Sequence, residues 1–145
     1  MAHKPDRPLS PHLQVWKWGP HMLVSILHRM TGVGMAIVAA GLFVWWLLAL
    51  ASGPEAYEAF RDLLTVESGA VNIVGAVLIA GLAWAFFTHF FNGIRHLVLD
   101  TGAGYELKIN KGFALVVVIG AIVAALALSL WLLWEPIMGL VGGAG

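Results

Sequence analysis

The imidazole of His89 is the most unusual side chain in this sequence, because it is the only titratable group in the long apolar run 68–94. On a helix, His89, Asn92, Gly93 and His96 occur at i, i+3, i+4 and i+7 and therefore share one face. At steps of four residues, His89 also stands in one row with the small residues Gly81, Ala85 and Gly93. Such a groove admits a neighbouring helix or a flat ligand. An ionisable group within a membrane span is costly and usually functional.

A ligand to haem iron is the chemistry that His89 suits best, because neutral imidazole is a standard axial ligand. The alternative is a buried histidine that only bonds a neighbouring helix. Six-coordinate haem needs two axial ligands, so the second would be His28 or a residue of another subunit. Cationic side chains nearby would pair with the haem propionates.

A second group of polar side chains begins at Ser25, in the motif SILHRMTG. Ser25, His28, Arg29 and Gly32 again occur at i, i+3, i+4 and i+7, so a hydroxyl, an imidazole and a guanidinium project from one helix face. Each has a simpler interpretation. Ser25 would bond the carbonyl one turn back, and His28, Arg29, Arg95 and His96 would be interfacial residues whose polar ends reach water.

The elements that carry these residues are membrane-spanning helices. The chain has 145 residues, of which 60% are hydrophobic and 11% charged, whereas soluble domains carry about 25% charged residues. Residues 30–54, 68–94 and 112–134 contain no Asp, Glu, Lys or Arg. Each stretch exceeds the roughly 20 residues that a spanning helix needs. The predicted fold is therefore an all-α integral membrane protein with three transmembrane helices.

The predicted order of segments follows from these runs. It is an interfacial N-terminal segment 1–20, a first span 21–50, a loop 51–69, a second span 70–100, a loop 101–111, a third span 112–134 and a tail 135–145. In the first loop, Ser52 and Glu55 fit a capping box. Tyr57, Phe60 and Leu64 predict a short amphipathic helix on the membrane surface.

Lysines and arginines are distributed unequally between the loops. The N-terminal part up to Arg29 has four and the segment from Arg95 has three, whereas the first loop has one and the tail none. The positive-inside rule then places the N-terminus in the cytoplasm and the C-terminus in the periplasm. Because span one begins and span two ends inside, Ser25, His28 and Arg29 are expected at the depth of His89.

Composition also excludes several classes of function. The chain has no cysteine, which excludes disulfides and iron–sulfur ligation within it. Its net charge is zero, so no nucleic-acid partner is indicated. The N-terminus resembles neither a signal peptide nor a transit peptide, which favours a bacterial inner membrane.

Three motifs in order resemble the cytochrome b subunits of succinate dehydrogenase, the larger of the two small membrane anchors of that enzyme. They are RPLSPHL at 7–13, SILHRMTG at 25–32 and HFFNGIRHLVLD at 89–100. Trp16 stands where many members carry Tyr. The topology of the whole chain agrees with this family.

The resemblance implies specific roles. His89 matches the axial ligand of haem b, and the second axial histidine would come from the partner anchor in a heterodimeric helical bundle. His28 and Arg29 match residues near the haem propionates. Ser25, Ile26 and Arg29 match the ubiquinone site, which the partner anchor and an iron–sulfur subunit complete.

Further expectations follow from the same family. A flavoprotein would oxidise succinate and pass electrons through iron–sulfur clusters to quinone. Arg95, His96 and Asp100, in the last motif, are expected to support the site. The alternatives are the anchor of a fumarate reductase, a structural anchor without cofactor, and a small transporter or channel subunit, for which no broken helix or repeated half is visible.

Overall fold

The described part of the chain is helical apart from its connections. The computed structural model describes residues 17–66 and 70–142. Its elements are α1 (Pro20–Gly34), a π-helical turn (Met35–Ala39), α2 (Ala40–Ser52), α3 (Pro54–Leu64), α4 (Ile73–Asp100) and α5 (Leu107–Gly142). The predicted all-α class is confirmed for these residues. The motif at 7–13, Trp16 and most of the predicted N-terminal segment 1–20 lie outside them.

Three helices are long and apolar enough to cross a membrane, as the sequence predicted. They cover Pro20–Ser52 with 33 residues, Ile73–Asp100 with 28 and Leu107–Trp134 with 28. At 1.5 Å per residue, even 28 residues reach about 42 Å, which exceeds the roughly 30 Å of hydrocarbon in a bilayer. Which end faces the cytoplasm stays a prediction.

The first span begins and ends at residues that suit helix termini. Pro20 occupies the first turn, where its missing N–H leaves no intrahelical bond unmade. Gly53 follows Ser52 with φ +107°, a conformation that side-chain-bearing residues rarely adopt. Ser52 is thus the last residue of α2, and Gly53 caps α3 without a side-chain hydrogen bond. The predicted capping box of Ser52 and Glu55 is wrong.

The connection between α4 and α5 is shorter than predicted. Gly102 and Gly104 both have positive φ, at +84° and +80°, and they turn the chain within 101–106. A Cβ at Gly104 would lie 2.8 Å from the ring of Phe113, so the loop lies directly against the start of α5. Helix α5 therefore begins at Leu107, five residues before the predicted start at Gly112.

Helices α1, α4 and α5 pack against one another in pairs. Their common core contains Val24, Ala114 and Val117, against which Phe91 is packed. Small side chains on α5 let the helices approach closely: Ala121 and Ala125 are buried as well. This three-helix contact, at the beginning of α1 and the end of α4, forms the frame of the candidate site.

Helix α2 departs from this bundle after the π-helical turn. It packs on α3, where Trp45 and Phe60 make an edge-to-face contact with centroids 5.1 Å apart, but its backbone does not closely approach α4 or α5. An apolar groove lies between Leu42 of α2 and residues of α4 such as Leu78 and Leu82. The short helix predicted in the first loop is present as α3, and its position on a membrane surface stays a prediction.

Candidate functional site

The imidazole rings of His28 and His89 lie face to face. Their centroids are 3.8 Å apart and their planes differ by 10°. His28 belongs to α1 and His89 to α4, so the beginning of the first span and the end of the second meet at one end of the bundle. The predicted convergence of these two side chains is confirmed.

A hydrogen bond orients the His89 ring. Its Nδ1 lies 3.0 Å from the backbone carbonyl oxygen of His28. A carbonyl oxygen only accepts, so Nδ1 carries the hydrogen and donates it, which leaves the lone pair of the neutral ring on Nε2. Metal-binding histidines in proteins usually donate their second ring N–H in this way. In its neutral form, the His89 ring therefore offers Nε2 to a metal.

Gly32 of α1 borders the His89 imidazole. A Cβ built at Gly32 of α1 would lie 2.8 Å from Cε1 of His89, closer than real Cβ atoms approach. On α4 itself, a Cβ at Gly93 or Gly81 would meet no other residue of the described chain within 4 Å. The predicted row of small residues on α4 thus faces open space at Gly81 and Gly93, which leaves room for a flat ligand or a second chain on this side of the helix.

His96 extends the group of imidazoles toward the end of α4. It is exposed, and its ring centroid lies 5.5 Å from that of His28 at an angle of 59°. Among the described residues, no three His, Cys, Asp or Glu side chains are placed to hold a metal ion by themselves. A metal held at His89 would therefore need further ligands from outside these residues.

The other predicted polar residues of α1 remain free to bind. Ser25 is half-buried, while Ile26 and Arg29 are exposed. Neither Ser25 nor Arg29 forms a hydrogen bond to another described residue. Both lie on the side of α1 that also carries Gly32, against which His89 packs. A hydroxyl and a guanidinium are therefore available next to the imidazole pair.

Arg95 is directed into the bundle. Its residue is only 8% exposed, and its guanidinium donates to Oδ1 of Asn92 at 3.2 Å and to Oδ1 of Asn110 on α5. The interpretation of Arg95 as an interfacial residue that reaches water is therefore wrong, whereas Arg29 and His96 are exposed as that interpretation requires. Asp100, the last residue of α4, is exposed and forms no ion pair with a described residue.

Sequence reasoning named Asn92 and Arg95 but did not predict that they belong to a buried polar group. Asn92 is fully buried and Thr88 nearly so, and Oγ1 of Thr88, Nδ2 of Asn92 and Nε of Arg95 have no hydrogen-bond partner among the described residues. The spacing of Thr88, Asn92 and Arg95 at i, i+4 and i+7 was a visible signal for one buried face. Asn110 carried no such signal, because its contact with Arg95 depends on how α5 packs.

The family of the chain is shown by comparison with known proteins. Residues 3–128 match the family model of the succinate dehydrogenase/fumarate reductase transmembrane subunit. This chain belongs to that family. The matched range contains all three histidines of the site together with Ser25, Arg29 and Arg95.

Several curated relatives bear the same kind of name. The succinate dehydrogenase cytochrome b556 subunit of Paracoccus denitrificans is 33% identical over 124 residues, which cover 86% of this chain and 90% of the relative. That of Rickettsia prowazekii is 37% identical over 103 residues, 70% of this chain and 73% of the relative. The mitochondrial cytochrome b560 subunit of Sus scrofa is 32% identical over 125 residues, 86% of this chain and 70% of the relative. The family that the three motifs indicated is thereby confirmed.

Proposed function

We propose that this chain is the haem-binding membrane anchor of a succinate:quinone oxidoreductase. It does not oxidise succinate itself, and it contributes to the reduction of quinone. The observation that carries the proposal is the hydrogen bond from Nδ1 of His89 to the His28 carbonyl, which leaves Nε2 available as a metal ligand. The names of the relatives, cytochrome b subunits of succinate dehydrogenase, agree with such a ligand.

His89 would hold haem b through Nε2, and a second small anchor subunit would supply the other axial ligand. Haem, when bound, accepts and donates single electrons. His28 lies beside the axial imidazole, and Arg29 is exposed one residue further on α1. These two side chains would bond and neutralise the propionates. Arg95, His96 and Asp100 would support this end of the site, Arg95 through its bonds to Asn92 and Asn110.

Ser25, Ile26 and Arg29 would form this chain's part of the ubiquinone site. Reduction to quinol takes two electrons and two protons, so the site needs donors to the quinone carbonyls and access to water. Ser25 and Arg29 have unused donors, and the exposed Ile26 offers an apolar contact. Arg29 would also stabilise negative charge that develops on the quinone oxygen. The position of all three residues in the first turns of the span keeps water near.

The proposal includes three partner subunits and a location. A second anchor would cover the open side of His89, and an iron–sulfur subunit and a flavoprotein would deliver electrons from succinate. The many exposed apolar side chains of the spans, among them Ile37, Phe43 and Leu97, require lipid or another subunit. The bacterial relatives support a location in the bacterial inner membrane.

The haem part of the proposal is tested by the absorbance of the purified complex. We expect His89→Leu to remove or alter the b-type bands of the reduced-minus-oxidised spectrum, because the axial nitrogen is lost. His21→Leu is the matched control, since His21 lies at the start of α1 and packs on Gly19. An unchanged spectrum in His89→Leu contradicts the assignment. A wild-type complex without haem would support a structural anchor instead.

The quinone part is tested by two activities of the same complex. We expect Ser25→Ala and Arg29→Leu to lower succinate–quinone activity by about 10-fold or more, which is roughly what the loss of one or two charged or neutral hydrogen bonds produces. Succinate oxidation by a soluble artificial acceptor should survive. Arg61→Leu is the matched control, because Arg61 lies in α3 and pairs with Glu58 on the surface. Loss of both activities together would mean that the residues hold the complex together.

The anchor of a fumarate reductase is the second candidate, because the description of the matching family names both enzymes. The reaction is the same chemistry in the opposite direction. Rates of succinate oxidation with ubiquinone and of fumarate reduction with a low-potential quinol, measured on one preparation, distinguish the two. A faster fumarate reduction would favour the second candidate.

A further inference from the structure

We propose that the backbone of α1 at His28–Gly32 sets the orientation and basicity of the His89 imidazole, and that Gly32 is a positioning residue for the iron ligand. This inference rests on the proposed function, in which His89 binds haem. It assigns a role to a residue without a side chain, through contacts that involve no haem atom.

The first contact is the hydrogen bond to His28. Nδ1 of His89 lies 3.0 Å from the His28 carbonyl oxygen, a distance typical of a good N–H···O bond. A stronger bond at this nitrogen gives the ring more imidazolate character and makes Nε2 more basic. A more basic ligand stabilises ferric over ferrous iron. The length of this bond therefore influences the reduction potential of the haem.

The second contact is the close approach of the His89 ring to Gly32, which is possible because Gly32 has no side chain. A Cβ there would lie 2.8 Å from Cε1 and 3.2 Å from Nδ1 of His89. The ring also stacks on His28 at 3.8 Å, so it cannot simply tilt toward that side. An added methyl group must push the ring away from α1, which lengthens the bond from Nδ1 to the carbonyl. Gly32 thus permits the short bond.

Other glycines of the same region have no such neighbour. A Cβ at Gly34, two residues further on α1, would meet none of the described residues within 4 Å, and the same holds at Gly93 on α4. Alanine raises helix propensity by about 1 kcal/mol relative to glycine at any of these positions. A comparison between Gly32 and Gly34 therefore separates the effect of the ring contact from the effect of the backbone.

Thr31 offers an independent change at the same carbonyl. Its hydroxyl Oγ1 lies 3.2 Å from the His28 oxygen and 2.7 Å from the Leu27 oxygen. The hydroxyl therefore competes weakly with Nδ1 of His89 for the His28 carbonyl. Valine has nearly the same shape and no hydroxyl, so Thr31→Val should strengthen the bond to His89. Its effect on the potential is opposite to that of Gly32→Ala.

The experiment compares Gly32→Ala with Gly34→Ala in the complete purified complex. The measurements are haem content, the midpoint potential by redox titration and the g values of the ferric haem by electron paramagnetic resonance. We expect Gly32→Ala to raise the potential and change the g values, while Gly34→Ala matches the wild type. A Gly32→Ala complex with full haem content and wild-type potential and g values overturns the inference.

If the Gly32→Ala complex does not assemble or retains no haem, the midpoint potential of the Thr31→Val complex tests the inference. A lower potential then supports the inference, and an unchanged or higher potential overturns it. Failure of the proposed function gives a different result, which is a wild-type complex without b-type haem or a His89→Leu complex with unchanged bands. If His89→Leu loses or alters the b-type bands as expected, but Gly32→Ala keeps the wild-type potential and g values, only the positioning role of Gly32 is contradicted.

Discussion

Arg95 carries a positive charge into the helical bundle with only neutral partners. Its donors reach the amide oxygens of Asn92 and Asn110, and no carboxylate of the described residues pairs with it. Buried charges in proteins are generally paired, because desolvation of a single charge is costly. Asn110 lies in the first turn of α5, where negative charge also interacts well with the helix dipole. A carboxylate at this position would therefore be stabilised both by pairing with Arg95 and by the dipole of α5.

We expect Asn110→Asp to raise the stability of the solubilised complex by about 1 kcal/mol, from charge pairing and the helix dipole. Asn110→Leu should lower it by about 1.5–3 kcal/mol, because a charged hydrogen bond is lost. Thermal unfolding followed by tryptophan fluorescence measures both changes. In an Arg95→Gln background only the smaller gain from the helix dipole should remain, because the charge pair is lost. An aspartate variant that is less stable than wild type would contradict this account.

The same residue shows where sequence reasoning ends. The position of Arg95 at the end of an apolar run is compatible with a side chain that reaches water or one that turns inward. Only the packing of α5, which brings Asn110 to the guanidinium, decides between them. The importance of His89 was easier to predict from the sequence, because an isolated imidazole within an apolar run indicates a function whatever the position of the neighbouring helix.

Side-chain hydrogen bonds fix the beginning of helix α4. The side chain of Asn72 accepts from the N–H of Gly75 at 2.9 Å and donates to the carbonyl oxygens of Leu63 and Thr65. Gly75 is buried there, and a Cβ would meet the carbonyl oxygen of Leu64 and lie 2.7 Å from Val71. The end of α3 and the start of α4 are thus held together without space for a methyl group.

We expect Gly75→Ala to destabilise the complex by about 1–3 kcal/mol through overpacking, although alanine favours helix. Gly81→Ala is the control in the same helix, because a Cβ at Gly81 meets no neighbour within 4 Å in the described part of the chain. Thermal unfolding of the two variants under identical conditions gives the comparison. Equal midpoints would mean that the loop moves away from α4 at no cost.

The number and order of the spans followed from the sequence because charge-free runs of this length have one interpretation. The local helix geometry and the exact helix ends could not be predicted from the sequence. The π-helical turn Met35–Ala39 lies in a run of uniformly apolar residues, where a change of helical period leaves no pattern. The start of α5 at Leu107 depends on the turn made by Gly102 and Gly104, which the charged residues of that loop obscured.

At the scale of the whole molecule, the distribution of Lys and Arg predicts which end faces the cytoplasm. The natural chain has no cysteine, so single cysteines can report the side on which they lie. We expect a membrane-impermeant maleimide to label Glu55→Cys in intact spheroplasts, and Ala103→Cys only after the membrane is opened. Both positions are exposed. The reverse pattern would invert the predicted topology and the side from which quinone receives protons.

The π-helical turn at Met35–Ala39 has a consequence for the comparison of homologous chains. Such a turn accommodates one more residue than the α-helical geometry on either side of it. A homologue whose first span is an uninterrupted α-helix should therefore be one residue shorter at this point. An alignment that places its gap elsewhere would assign every position between the gap and this turn to the wrong side of the helix.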